Sequence, residues 1–170
     1  IVTNDIDLSE GWIAIFTLAF GIGSVLGSWA AGILADWDVE RSIAWGFVAT
    51  VIVLVTFYFT ASHVLPALLL VLAVGALGSI VAINLQVRLM DAAGDAQMLG
   101  AALNHSALNI ANGLGAFFGS VIISAGYGYR ATSWVGVVLA SLGLVIFLGG
   151  LAYQRRSAGA PAEPATTSVS

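Results

Sequence analysis

The chain has 170 residues, of which 59% are hydrophobic and only 8% are charged, and its formal net charge is −4. Soluble domains carry about a quarter charged residues, so this composition excludes an ordinary soluble domain and indicates an integral membrane protein. The apolar runs are continuous and do not alternate with polar residues, which favours spanning helices over barrel strands. The predicted fold class is therefore an all-α integral membrane protein.

Residue types that support other functions are scarce. The chain has no cysteine, and its two histidines lie far apart, so we expect no disulfide, no metal site and no cofactor. Neither a nucleophile with a base nor a pair of carboxylates falls within the apolar stretches, so the sequence does not predict an enzyme. The partner that the composition indicates is the lipid bilayer, and no nucleic acid partner is expected.

Five apolar stretches are each long enough to cross a bilayer as a helix, which takes about 17–25 residues. The predicted spans are residues 11–35, 43–60, 67–85, 98–125 and 134–153. The acidic stretch before them, residues 1–10, is expected to be a loop outside the membrane. Residues 154–170 contain Ala, Pro, Ser and Thr repeatedly and are predicted to be a disordered cytoplasmic tail. Residues 1–153 then form one transmembrane part.

The first span is rich in small residues, which let a neighbouring helix backbone approach closely in a membrane. At about 100° per residue, one face collects Thr17, Ser24, Gly27, Ser28, Ala31 and Ala35. Gly23 and Gly27 are predicted packing positions, as are Gly115 and Gly119 in the fourth span. Trp29, in the middle of the first span, has two interpretations: it stacks on an aromatic substrate, or it packs against lipid or a helix.

The arginines predict how the spans are oriented. Four of them fall at span ends on one side of the predicted bundle: Arg41, Arg88, Arg155 and Arg156. Arg130 alone falls on the other side. Because positively charged loops stay in the cytoplasm, the sequence predicts a cytoplasmic C-terminus and an N-terminus outside.

Polar residues inside the spans mark candidate functional positions, since lipid offers them no partners. On a helical wheel, Asn109 and Asn112 lie within about 40° of His105, so the three form one stripe on the fourth span. One interpretation is the wall of a substrate cavity, in which His105 is also a candidate proton relay; the other is hydrogen bonding between helices. Asn84, near the end of the third span, reaches either the cavity or the membrane interface.

The turn after the first span carries a recognisable pattern over residues 32–41. It resembles the loop signature of the major facilitator superfamily, Gly-x-Leu-Ala-Asp-Arg-x-Gly-Arg-Arg. The matching residues are Gly32, Leu34, Ala35, Asp36 and Arg41. Trp37, Val39 and Glu40 depart from the signature, as is typical of its second copy between the eighth and ninth helices. Residues 85–96, 102–104 and 109–119 look like the bacterial drug:proton antiporter branch, which includes arabinose-type and chloramphenicol efflux permeases.

The resemblance implies that the five spans are helices eight to twelve of a transporter, so we expect the chain to be a fragment whose amino-terminal half is missing. It implies proton-coupled efflux of a small drug or sugar-like substrate by alternating access, in the inner membrane of a bacterium. It also implies that Gly32, Asp36 and Arg41 belong to a loop that stabilises one conformation, with Asp36 capping a helix or pairing with Arg41. The alternative is a five-span membrane scaffold, or a truncated gene product, that transports nothing.

Overall fold

The computed structural model describes residues 11–60, 63–127 and 131–158. Regular structure in these ranges is entirely helical: α1 (Gly11–Thr60), α2 (Val64–Ala93), a short 3-10 turn (Gly94–Ala96), α3 (Gln97–Ser124) and α4 (Thr132–Ala158). The predicted outer loop at residues 1–10 and most of the predicted tail, residues 159–170, lie outside the described residues. Residues 154–158 were predicted to be disordered, which is wrong, because α4 continues through them.

Helix α1 is broken at Asp38, whose backbone is extended (φ −167°, ψ 105°). The first arm, residues 11–37, runs parallel to α2, because Gly23 lies against Leu72 and Gly27 against Ala76. The second arm, residues 39–60, runs the opposite way. Its residue numbers rise as those of α4 fall: Leu54 lies against Gly136, and Phe47 against Gly143. The chain therefore reverses at Asp38, where the sequence predicts a hairpin.

The remaining helices also alternate in direction. Near the 3-10 turn, α3 folds back on α2, because Gly100 contacts Leu89 and Asn104 bonds to Gln86. At its other end α3 packs beside the start of α4, where Ile122 and Trp134 line one groove. Three stretches of these helices are apolar and long enough to cross a membrane: residues 12–60, 64–124 and 132–156. This architecture supports an all-α membrane fold.

The closest packing joins the first arm of α1 to α2. A Cβ atom added to Gly23 or Gly27 would overlap the backbone of Leu72 or Ala76, and one added to Gly75 would overlap the backbone of Phe20. The two backbones thus touch directly at glycine positions, as in many membrane helix pairs.

The buried side of the first arm overlaps the predicted stripe of small residues in part. Gly27 and Ala31 of the stripe are buried, as are Phe16 and Ala19 outside it, whereas Thr17 and Ser28 are exposed and bond to carbonyl groups of their own helix. Hydroxyl groups satisfied within the helix need no partner from a neighbour. They therefore do not determine which face packs.

The helix ends follow local chemistry. Pro66 lies in the first turn of α2, where its missing N–H costs nothing. Gly94, at the end of α2, has a φ of +53° and its N–H donates to the carbonyl of Asp91. Since L side chains rarely adopt this backbone conformation, glycine ends the helix here. The connection between the third and fourth predicted spans is therefore reduced to the 3-10 turn.

We predict that Gly27→Ala destabilises the protein by about 1–3 kcal/mol, because the added methyl group overpacks the contact with Ala76. Gly21→Ala is the matched control, since a Cβ there meets no atom within 4 Å and alanine is the better helix former. Thermal unfolding in detergent measures both. Equal melting temperatures for the two variants would contradict the contact.

Candidate functional site

Helix α3 has three different faces. One face packs on its neighbours, and Gly100 and Asn104 on it are buried. A second face carries His105, Asn109 and Asn112, all of which are exposed. The structure therefore keeps the predicted polar stripe together and leaves it without a covering helix among the described residues.

The third face of α3 is exposed and apolar. Its residues are Leu103, Ile110, Leu114, Phe117 and Val121. On the helical wheel this face lies opposite His105. Apolar side chains of this kind suit lipid, whereas amide and imidazole groups find no hydrogen-bond partners in it. The two exposed faces therefore require different surroundings, and the polar one requires water, a ligand or another protein surface.

Gly115 and Gly119 lie on the packing side of α3 and make no close contact there with other described residues. A Cβ added to Gly115 would meet no atom within 4 Å, and one added to Gly119 would meet only Thr132, at 4.0 Å. Neither glycine makes a close backbone contact within the described residues. Their predicted role in helix packing has no partner here, unlike that of Gly23 and Gly27.

Asn84 does not lie on an exposed wall, so its interpretation as a cavity residue is corrected. It is fully buried between α2 and the first arm of α1. Its Nδ2 donates to the carbonyl of Ile80 at 2.9 Å and to that of Ala31 at 3.4 Å. Its Oδ1 has no hydrogen-bond partner among the described residues. Asn84 thus connects two helices, the role of polar residues in membrane helix pairs.

Two further predicted positions lie on the first arm of α1. Trp29 is 72% exposed there. Gly32, on the same arm, is also exposed and has open space around its Cα.

The turn between the two arms of α1 is held by Asp38. Its Oδ1 accepts from the backbone N–H of Arg41 at 2.9 Å, so Asp38 caps the second arm. Its Oδ2 lies 3.2 Å from Nε of Arg41. The capping and pairing that the resemblance implied for Asp36 are therefore made by Asp38. Asp36, two residues earlier, is exposed.

Glu40 connects this turn to the ends of two other helices. Its Oε1 lies 3.1 Å from Nη2 of Arg88, and its Oε2 lies 3.7 Å from Nη2 of Arg155. Arg88 also donates to Oε1 of Gln154. We call Asp38, Glu40, Arg41, Arg88, Gln154 and Arg155 the charge cluster. Exposed ion pairs contribute about 0–1 kcal/mol each, so the cluster aligns helix ends more than it stabilises them.

Sequence reasoning missed Ser42. This residue is buried, and its hydroxyl donates to the carbonyl groups of Leu34 at 2.9 Å and Asp38 at 2.6 Å. It thereby satisfies the carbonyl of Leu34, one of the last four of the first arm, which have no partner within the helix. The sequence did contain a signal for the start of the second arm, where Ser42 lies. That signal was Asp38, since an aspartate followed by an acidic first turn is typical of a helix start.

Comparison with known proteins found two that are similar to this chain. Two curated proteins, both called "Inner membrane transport protein YdhP", from Escherichia coli strain K12 and Escherichia coli O157:H7, are each 29% identical to this chain over 135 residues. The match covers 79% of this chain but only 35% of each relative, so the chain spans about a third of their length. No family model and no solved structure matches the chain.

These relatives and the apolar helices together indicate a multi-pass membrane protein similar to transport proteins. Both relatives are named as transport proteins. Among the described residues, no group of three or more His, Asp or Glu side chains is placed to hold a metal ion. The exposed polar face of α3 offers the imidazole of His105 and the amide groups of Asn109 and Asn112.

We predict that Asp38→Ala lowers the free energy of unfolding by about 0.5–2 kcal/mol, because the second arm loses its N-terminal cap. Asp36→Ala is the matched control and leaves stability unchanged within about 0.5 kcal/mol, as surface substitutions usually do. Chemical or thermal unfolding of both variants measures the difference. A larger loss of stability from Asp36→Ala than from Asp38→Ala would contradict the assignment of the cap to Asp38.

Proposed function

We propose that the chain is part of a major facilitator transporter, corresponding to helices eight to twelve, that exports small drug-like or sugar-like molecules from a bacterium in exchange for protons. The observation that carries the proposal is the exposed polar face of α3, formed by His105, Asn109 and Asn112. The similarity to inner membrane transport proteins and the pattern at residues 32–41 support it.

If each of the two arms of α1 and each of the helices α2, α3 and α4 crosses the membrane once, the chain has five membrane spans. The arms of α1 are 27 and 22 residues long, and such lengths cross a hydrocarbon layer about 30 Å thick. The charge cluster gathers Arg41, Arg88 and Arg155 at one end of the bundle. Positive residues favour the cytoplasm, so we place this end inside and the N-terminus of the first arm outside.

The proposed mechanism is alternating access. The rest of the intact protein covers the polar face of α3, and the two parts rock around a site near the middle of the membrane. Amide groups both donate and accept hydrogen bonds, so Asn109 and Asn112 bind neutral polar groups of a substrate. The apolar parts of the spans contain no Asp, Glu or Lys. A coupled proton is therefore carried by His105 or by acids elsewhere in the intact protein.

Cysteine accessibility tests this assignment. We expect Asn109→Cys and Asn112→Cys in the intact protein to react with membrane-impermeant thiol reagents, because both positions face an aqueous cavity. The chain has no native cysteine, and any cysteine in the rest of the intact protein is first replaced by serine, so the label reports only the introduced one. Ile110→Cys is the matched control, since Ile110 is 63% exposed on the apolar face and is expected to face lipid.

The same variants link the cavity to transport. A transported substrate is expected to slow labelling at positions 109 and 112 at least about tenfold, the effect of roughly 1.4 kcal/mol of binding at the site. Labelling at position 110 stays low throughout. If neither position 109 nor position 112 reacts with the reagent, the result would favour a membrane scaffold. Labelling that does not depend on substrate, together with no measurable transport, would favour it as well.

We also expect Asp36→Asn to slow transport while the amount of folded protein is unchanged. Asp36 is exposed and is not the residue that caps the turn, so its carboxylate is available to pair with the rest of the intact protein in one conformation. Substrate efflux from loaded vesicles, normalised to protein content, measures the rate. An unchanged rate would reject this role for the loop.

A further inference from the structure

A groove of about 290 Å³ lies where the second arm of α1 ends and α4 begins. Both arms of α1, α2 and α4 contribute to its lining. The apolar side chains of the lining are Phe20, Leu54, Phe57, Val71 and Val74, and its polar residues are Thr132 and Ser133. No residue of α3 lines the groove, so it is separate from the polar stripe on that helix.

The antiparallel packing of the second arm and α4 brings Ser133 to this groove. Leu54 lies against Gly136. Because the two helices run in opposite directions, Phe57, three residues after Leu54, lies level with Ser133, three residues before Gly136. An aromatic ring and a hydroxyl group therefore lie beside each other in the wall of the groove.

Ser133 is a buried polar residue without a hydrogen-bond partner. It is 7% exposed, and its hydroxyl makes no hydrogen bond to the described residues. Hydroxyl groups within helices commonly bond to the carbonyl four residues earlier, as those of Thr50 and Thr56 do. Ser133 is the second residue of α4, so this helix offers it no such carbonyl. A donor and acceptor is thus left unused beside the groove.

The lining selects a neutral molecule that has an apolar body and one hydrogen-bonding group. No charged side chain of the described residues lines the groove, and a charge buried without a partner is strongly unfavourable. A plain hydrocarbon leaves the hydroxyl of Ser133 unsatisfied, and water alone leaves the apolar walls uncovered. Apolar cavities of about 150 Å³ admit benzene, so this groove has room for a ring with a short alkyl chain.

We propose that this groove binds one small neutral alcohol or phenol, with its hydroxyl on Oγ of Ser133 and its hydrocarbon body against Phe20, Phe57 and Val71. A hydroxyl group both donates and accepts, so it matches the free hydroxyl of Ser133 in either direction. An aromatic body also packs favourably against phenylalanine rings. The proposal does not depend on transport, because no residue of the polar stripe takes part.

Three probes separate the contributions of the ligand. 4-Propylphenol has a ring, a short chain and a hydroxyl; propylbenzene lacks the hydroxyl, and 4-propylbenzoate replaces it with a charge. Equilibrium dialysis of the intact protein in nanodiscs measures binding, and empty nanodiscs measure partition into lipid.

Three variants separate the contributions of the protein. Ser133→Ala removes the hydroxyl, and Val74→Phe fills the groove. Val25→Phe is the matched control, because Val25 is 70% exposed and does not line the groove.

We expect the unchanged protein and Val25→Phe to bind one 4-propylphenol above the empty nanodiscs, and Val74→Phe to lose this binding. Ser133→Ala should bind the phenol at least about threefold more weakly, the effect of one neutral hydrogen bond, and propylbenzene equally well. The benzoate should bind at least about tenfold more weakly than the phenol.

Binding no greater than that of empty nanodiscs would overturn the proposal, because lipid or water then occupies the groove. Equal effects of Val74→Phe and Val25→Phe would place the phenol elsewhere. Equal losses of phenol and propylbenzene in Ser133→Ala would reject the hydrogen bond, and equal binding of the benzoate would reject the selection for a neutral ligand.

Discussion

The direct backbone contact between the first arm of α1 and α2 determines most of the remaining arrangement. In a bilayer, helices gain little from burying apolar groups, since lipid is as apolar as they are. They associate through close packing, and the missing side chains of Gly23, Gly27 and Gly75 permit it. With α2 held against the first arm on one side and contacting the second arm at Gly46, α3 meets α2 only near the 3-10 turn. Most of α3 is consequently exposed, including its polar face.

The charge cluster depends on the same arrangement. The chain reverses at Asp38, so Glu40 lies at the end of the bundle where α2 and α4 finish, and its two oxygens reach Arg88 and Arg155. Each pair is partly exposed, with Arg155 at 78%, so water and salt weaken the attraction. A weak link of this kind aligns three helix ends without fixing them.

Much of the fold was predictable because it depends on local chemistry. Long apolar runs predicted helices, and the charged residues after Ala35 predicted the reversal that the structure places at Asp38. The exact capping residue was not predicted, because Asp36 and Asp38 are the same residue type and only the backbone distinguishes them. The buried face of the first arm was predicted only in part, at Gly23, Gly27 and Ala31, because the rest of it depends on where α2 lies. Small residues show that close approach is possible but not on which side it occurs.

The candidate site was predictable in part for a similar reason. The stripe of His105, Asn109 and Asn112 follows from helical geometry alone, and the structure leaves all three exposed together. Asn84 has the same chemistry, yet it is buried against Ala31. A sequence cannot distinguish an asparagine that faces a cavity from one that bonds to a neighbouring helix, because the difference lies in the partner helix.

Asn84 bears on how the bundle assembles. Its Nδ2 reaches the carbonyl groups of Ile80 and Ala31, while its Oδ1 has no donor within the described chain. A buried acceptor without a partner costs about 1–3 kcal/mol, so this residue is a poor source of stability. It does favour one register between α1 and α2, because sliding α2 along α1 by one turn would also remove the hydrogen bond from Nδ2 to the carbonyl of Ala31. When separately inserted helices come together during biogenesis, such a residue selects the native alignment from others that glycine contacts alone would accept.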